Sequence, residues 1–362
     1  MRALVTIAHY FKPDGSLPWT QGLGSGRAPL AKIAALNAAI VGLHRYFGPR
    51  RLSRNPDEPQ ARAVQDNTLD IVIITARGAN LLDWIGIDPS IYDVEYFDGE
   101  PLMLPFDAQR IMRERAGGYD VYMAMEDDLI VDDPQMMAKI VWFAGEFGPR
   151  AVLCPVRYEM AYTGTPAKVA ISPRLSRETR APFQRPGVPR VLTGRWNGVE
   201  QSFCQPNNPH MGCTVLTADQ LKLWIAHPTF YDRDASWVDS LVSAATHAPG
   251  KVFDFYIPSE PDPWFLGIEH YGTRYAAPLA PEGQAFGEPP LLKLAEELLG
   301  GGAAQSTASA RLAALGVRAD TINTVMAEAE RMHYELNALK GSRSRLAKAL
   351  LAALLNKTRR SR

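Results

Sequence analysis

Short apolar runs rich in valine and isoleucine alternate with longer segments of helical spacing through the first 155 residues, and this restricts the fold more than any other feature. Residues 4–8, 71–75, 94–97, 121–125 and 152–155 read as strands. Residues 29–47 carry Leu30, Ile33, Leu36, Ile40, Leu43 and Phe47 at helical spacing, and Gly48-Pro49 ends the pattern. Residues 108–116 and 134–147 are the other clear helices of this half. Strands separated by helices predict an α/β fold with a mainly parallel sheet covered on both faces. The polar stretch 50–66 reads as a surface loop.

After Pro155 the texture changes. Residues 156–210 are rich in proline, arginine, threonine and asparagine, and the only regularity they suggest is a hairpin over 169–189. Long irregular stretches of this kind form lids and binding loops. A strand over 211–216, helices over 218–227 and 237–246, and a strand over 252–256 follow. The sequence turns helical from Pro289, with segments 291–299, 307–315 and 319–339. We therefore expect a domain over 1–285, divided at 155 into a nucleotide-binding and an acceptor half. A helical extension over 286–340 and a basic amphipathic tail over 341–362 complete the division.

The chain balances 39 Lys and Arg against 39 Asp and Glu, but the charges are segregated. Eight basic residues and no acid lie in 340–362. Residues 1–339 then hold 31 basic against 39 acidic residues, a net charge of −8. An acidic body excludes nucleic acid as its expected ligand. In the tail, Leu346, Leu350, Leu351, Leu354 and Leu355 share one helical face, flanked by Arg343, Arg345, Lys348, Lys357, Arg359 and Arg360. That profile suits an anionic membrane surface. A packing or homodimer helix with a solvated basic end is the competing reading. Cys154, Cys204 and Cys213 form no CxxC pair, which predicts reduced thiols and no zinc site. His9 and Lys12 interrupt the first apolar run too soon for a signal-peptide core, and no stretch approaches the ~20 apolar residues of a membrane span. A cytoplasmic protein, peripheral at the inner face of a membrane through its tail, is the expectation.

The stretch from Tyr119 to Pro134 is the most informative for chemistry. A strand runs into Glu126, Asp127 and Asp128, and a second acidic pair stands at Asp132 and Asp133. Open α/β sheets bind ligands at the carboxyl ends of their strands. Three adjacent carboxylates repel unless protons or a cation offset them, and Mg²⁺ or Mn²⁺ would do so while leaving positions open for a diphosphate. The competing reading makes the acids the solvated cap of the next helix. Asp132 or Asp133 before Pro134 fits an N-cap with proline in the first turn.

An apolar strand ending in Glu-Asp-Asp, about 120 residues into an α/β domain that opens with a strand, resembles the GT-A-type glycosyltransferases. The resemblance covers roughly 1–275, with Glu-X-Asp in place of the family's Asp-X-Asp. It implies a nucleotide-binding α/β sandwich, a nucleotide-sugar donor and a divalent ion on the donor's diphosphate. Carried onto this chain, it makes Asp128 and Asp127 metal ligands, with Glu126 and Asp127 near the ion or the ribose. It also makes His270, in Glu269-His-Tyr-Gly272, a candidate for completing the metal shell. The family's base for an inverting transfer corresponds to Asp239, just after Trp237, with Asp234 as the neighbouring candidate. Asp234 also reads as a helix cap, and Asp232 as a partner of Arg233.

Asn207, Asn208 and His210 offer the neutral hydrogen bonds that sugar hydroxyls require, while a ligand-free turn accounts for Asn-Asn-Pro equally well. His9 and Arg27 flank the glycine run Gly22-Leu-Gly-Ser-Gly26, which lacks the Gly-Lys-Ser/Thr of a phosphate loop. We read the run as a loop closing on the nucleotide, with Arg27 a phosphate or acceptor contact. The function expected is metal-dependent transfer of a sugar to a glycan or lipid-linked glycan acceptor. A metal-dependent nucleotidyltransferase and a non-catalytic membrane-associated interaction protein are the alternatives.

Overall fold

The computed structural model describes residues 1–12, 29–48, 67–161, 167–273 and 275–276. The glycine run, Arg27, the helical extension and the basic tail lie outside the described residues.

The protein is mixed α/β. Its central sheet contains β1 (Arg2–Ala8), β2 (Thr68–Thr75), β3 (Asp93–Tyr96), β4 (Val121–Glu126) and, far along the chain, β11 (Cys213–Thr217). The order is β11-β4-β1-β2-β3. The pairs β1/β2, β1/β4 and β2/β3 are parallel, and only β11 runs antiparallel, on the outer edge of β4. Strand β1 is buried on both faces because its side chains alternate between two cores. Val5 and Ile7 meet Leu36, Ile40 and Phe143 on one side, while Leu4 and Ala8 meet Ile111, Trp224 and Phe253 on the other.

The first core is roofed by helix α1 (Pro29–Phe47) and helix α3 (Met136–Phe147), and the second by α2 (Asp107–Glu114) and α4 (Ala218–Ile225). A Cβ on Gly42 of α1 would stand 3.0 Å from the Val131 carbonyl, so glycine permits this helix to approach the chain beyond β4. Helix α4 starts on a capping box between Thr217 and Gln220.

The strands and helices expected in the first half stand within a few residues of their sequence positions, but three expectations require correction. First, 156–210 is not mainly irregular. Strands β7 (Val156–Ala161) and β8 (Ala167–Ala170) form one antiparallel pair, and β9 (Val191–Trp196) and β10 (Val199–Cys204) form another. Asn197 and Gly198, with φ of 49° and 80°, supply the two left-handed residues that a two-residue hairpin turn requires. Second, neither Asp132 nor Asp133 caps α3. The N-cap is Gln135, whose amide donates to the Asp133 carboxylate at 2.8 Å, while Asp132 is engaged by Tyr158 and Lys168. Third, the helix expected from 237 begins at Ser240, with α, π and α turns in succession through Gly250.

The described residues contain two further sheets of four strands each. One has the order β6-β12-β10-β9, with β6 at Ala151–Leu153 and β12 at Asp254–Pro258. Its packing on α3 is aromatic: Phe143 stands 4.9 Å from Phe203, and Trp142 stands 5.4 Å from Trp196, in edge-to-face contacts. The other has the order β5-β13-β7-β8, with β5 at Leu129–Ile130 and β13 at Gly267–His270. Among the described residues no helix is long and apolar enough to cross a membrane.

Candidate functional site

The acidic trio lies where β4 leaves the sheet, beside the end of β1, with Ala8 in register with Glu126. That register brings His9 against Asp127. The Asp127 carboxylate is fully buried; Oδ2 stands 2.6 Å from His9 Nδ1 and Oδ1 accepts from Lys32 Nζ at 2.5 Å. His9 Nε2 accepts the Leu81 amide at 3.0 Å, so the ring proton sits on Nδ1 and is donated to Asp127. Both ring nitrogens and both carboxylate oxygens are thereby engaged. Asp127, expected in the metal shell or near the ribose, is instead an internal ion-pair partner tying α1 to β1 and β4. His9, expected at the nucleotide, has no nitrogen left for a ligand.

Asp128 sits differently. Strand β13 pairs with β5, His270 opposite Leu129, and the Tyr271 amide donates to the Asp128 carbonyl at 2.8 Å. This pairing brings His270 to Asp128 across more than 140 residues of chain, with Nε2 3.5 Å from Oδ2. Asp128 Oδ1 is buried with no hydrogen-bond partner. On the other side of the ring, Nδ1 stands 2.8 Å from Glu159 Oε1. Glu159 also accepts the amides of Tyr275 and Ala276 at 2.9 and 2.6 Å, which fixes it as an acceptor and His270 Nδ1 as the donor.

Burial opposes charge on both partners, but their mutual attraction wins. His270 is pushed up to about 9 by Asp128 and Glu159 against the cost of its own burial. Asp128 is likewise penalised by burial, yet the charges of His270, Lys32 and Arg157 hold it well below the ordinary carboxylate value. The sequence reading assigned relief of the acidic repulsion to a bound cation; the protein supplies part of it through Lys32, Arg157 and His270.

Glu126, the first acid, faces the opposite way. Its Oε1 lies 3.2 Å from His210 Nε2 without hydrogen-bond geometry, and His210 Nδ1 is 3.0 Å from Thr246 Oγ1. Gly212 has a φ of 72°, and a Cβ there would come within 3.2 Å of the Glu126 carboxylate and 2.9 Å of Leu129. A cavity of about 20 Å³ is lined by Thr6, Ala8, Gln109, Glu126, Gly212 and Thr214, room for about one water. The loop before Gly212 is a turn in which Asn208 accepts the His210 amide at 3.0 Å, and Asn207 accepts from Arg180 at 2.7 Å. Asn208 and His210 are buried, so of the three residues expected to bind sugar hydroxyls only Asn207 is exposed.

The two candidate bases stand in different settings. Asp239 is the N-cap of the helical run 240–250, accepting the Val242 amide at 2.8 Å, and Leu241, Ala244 and Ala245 of that run line the cavity beside Glu126. Asp234 is not a cap; Lys251 bridges it and Asp232 at 2.8 and 2.6 Å. Asp232 therefore pairs with Lys251 and not with Arg233. The Lys251 hydrogen bond, reinforced by those from Ser236, holds Asp234 well below the usual carboxylate range. The turn between is strained: Tyr231, Arg233 and Val238 have φ of 59°, 56° and 62°.

Sequence reasoning missed Lys32, Arg157 and Glu159. Lys32 interrupts the apolar first half of α1, and Arg157 and Glu159 alternate with apolar residues along β7; those interruptions were the available signal.

No protein-family model and no curated protein matches the sequence. Mouse xyloside xylosyltransferase 1 aligns over 75% of this chain and 97% of its own, at 10% identity and a TM-score of 0.34. Mannose-1-phosphate geranyltransferase from Thermus thermophilus aligns over 71% and 74%, at 10% identity and a TM-score of 0.32. A CMP:2-keto-3-deoxy-manno-octonic acid synthetase complexed with CTP aligns over 63% and 79%, at 13% identity and a TM-score of 0.27. Similarity at this level assigns neither family nor activity, and the functional reading rests on the site.

Proposed function

We propose that the chain is a metal-dependent glycosyltransferase, moving a sugar from a nucleotide-sugar donor to a glycan or lipid-linked glycan acceptor. The observation that carries the reading is the unpartnered Asp128 Oδ1 beside His270, whose other ring nitrogen is fixed by Glu159. A histidine oriented by a carboxylate on one nitrogen and facing a second carboxylate with the other is the arrangement of a metal ligand with its supporting shell. Among the described residues no three histidine, cysteine or acidic side chains form a cage for an ion. The donors fit Mn²⁺ or Mg²⁺ that takes one or two protein ligands and completes its shell with substrate phosphate and water. Bound between Asp128 and His270, such an ion would offset the charge of the departing diphosphate.

The remaining steps belong to side chains of the chain. Asp127, closed off by Lys32 and His9, sets the path of the backbone so that Asp128 faces His270. Asp239 is our candidate base for the acceptor hydroxyl in an inverting transfer, because its carboxylate retains an oxygen beyond the one capping the helix. Asp234, neutralised by Lys251, is the poorer base. The tail over 343–362 would hold the enzyme at an anionic membrane carrying a lipid-linked acceptor.

The test is incubation of the full chain with a panel of nucleotide sugars and Mn²⁺, followed by analysis of the released phosphates. Nucleoside diphosphate released from one donor, and lost in Asp128→Asn, is the expected result. Inorganic pyrophosphate formed from a nucleoside triphosphate and a sugar phosphate would make the chain a nucleotidyltransferase instead. No turnover with any donor, and none of these products, would return it to a non-catalytic role.

A further inference from the structure

Three lysines and arginines among the described residues are buried: Lys32, Lys139 and Arg157. Two have a carboxylate in contact, Lys32 with Asp127 at 2.5 Å and Lys139 with Asp133 at 2.7 Å. Arg157, only 6% exposed, has no ion pair among the described residues, and its Nε has no hydrogen-bond partner. The Tyr275 ring lies 5.6 Å from its guanidinium carbon. A buried guanidinium without an anion is costly, and a cation–π contact recovers a small part of that cost.

The location is specific. Arg157 is in register with Ile268 of β13, and the two-residue period of β7 puts it on the same face as Glu159. Glu159, on that same face, holds His270, which stands 3.5 Å from Asp128, so Arg157 borders the Asp128 side of the acidic trio. Glu159 is committed to three donors, His270, Tyr275 and Ala276, while Asp128 faces His270 through Oδ2 and its Oδ1 makes no hydrogen bond to Arg157. Among the described residues no acceptor is hydrogen-bonded to the Arg157 Nε, and the fork of its N–H groups matches two oxygens of one phosphoryl group.

We propose that Arg157 is the receptor for a phosphoryl group of the substrate, holding the leaving diphosphate against the Asp128–His270 pair by bidentate hydrogen bonds. The identification of that anion as a diphosphate rests on the transferase reading; the need for an anion does not. A substrate carboxylate would satisfy the same fork, and the probe is chosen to separate the two.

The experiment is calorimetric titration of the full-length protein with inorganic pyrophosphate, with and without Mg²⁺, and with acetate as the carboxylate control. Arg157→Met, which keeps the bulk and removes the charge, and Arg157→Lys, which keeps the charge and removes the fork, are titrated beside the native chain. Pyrophosphate affinity should fall about 10- to 100-fold in Arg157→Met and about 10-fold in Arg157→Lys, the range for lost hydrogen bonds to a charged group. A parallel titration with Mn²⁺ alone should leave Arg157→Lys unchanged, since the charge is kept, and Arg157→Met at least as tight as the native chain, since a repelling charge has been withdrawn. Native-like pyrophosphate binding in either variant would overturn the proposal and leave Arg157 as a counter-charge. If Arg157→Met does not fold, Arg157→Lys decides alone. Failure of the native chain to bind pyrophosphate while it turns over a nucleotide sugar would also overturn it, with the transferase reading intact. Arg157-dependent pyrophosphate binding without turnover of any donor would keep the anion site and reject the transferase.

Discussion

Asp127 and Asp128 leave the same strand end one residue apart, yet Lys32 and His9 enclose the first, while the second faces His270 and keeps an oxygen without a partner. The difference follows from chain geometry. The two residues make up the turn between β4 and β5, and within it one acid turns toward α1 and β1 and the next toward β13. A motif of adjacent acids is therefore two environments. Where both oxygens are engaged the carboxylate is a structural member; where one is left open it is available for chemistry.

The largest effect should come from breaking the closed side. Asp127→Ala strands Lys32 and His9 in the interior and should cost about 3–5 kcal/mol in urea unfolding, the usual penalty for removing one partner of a buried pair. Asp128→Asn leaves Glu159 to neutralise His270 and should cost about 1–2 kcal/mol while abolishing donor turnover. Equal stability losses in the two variants would break the comparison.

Next in size is the pH dependence of the open side, measured in chelator. The His270 imidazole is raised from 6.5 to about 9, so its contribution is present in full below pH 6.5 and is lost as pH rises through 9. At most this amounts to roughly 3 kcal/mol. Asp128 is lowered, so its contribution is present above its ordinary value near 3.8 and is lost only as pH falls below that. Unfolding midpoints from pH 6 to 9.5 should decline in the native chain and flatten in His270→Gln. A native curve already flat over that window would remove the charged imidazole from the account.

Smaller effects probe the supporting backbone. Gly212→Ala meets both a left-handed φ and the Glu126 carboxylate and should cost about 1–2 kcal/mol. Val238→Gly should gain about 1 kcal/mol, since a β-branched residue at a φ of 62° is relieved and its exposed side chain gives up little packing. A loss of stability there would show that Val238 contributes contacts outweighing its strain.

Much of the fold was legible because β1, β2, β4 and α1 are buried on both faces, and burial on that scale leaves an uninterrupted apolar record. Strands β7 to β10 lack it. Val191 and Val199 are exposed, Arg157 and Glu159 occupy inner positions of β7, and the turn at Asn197-Gly198 was the one strong local signal. At the site, the resemblance brought Asp128 and His270 to attention together. The closed fate of Asp127 was not legible, because it depends on Lys32, ninety-five residues earlier and visible only as a charge in an apolar helix. Nor could spacing show that Asp239 caps the helix and Asp234 answers Lys251, since both acids sit in the same turn-forming stretch.

The most direct test of the account is calorimetric binding of a panel of nucleoside diphosphates to the native chain, Asp127→Asn and Asp128→Asn, with Mn²⁺ and with chelator. We expect one nucleoside diphosphate to bind the native chain at least about tenfold more tightly with Mn²⁺, and that gain to vanish in Asp128→Asn while persisting in whatever fraction of Asp127→Asn folds. Metal-dependent binding that survives in Asp128→Asn, or no binding of any nucleoside diphosphate by the native chain, would contradict it.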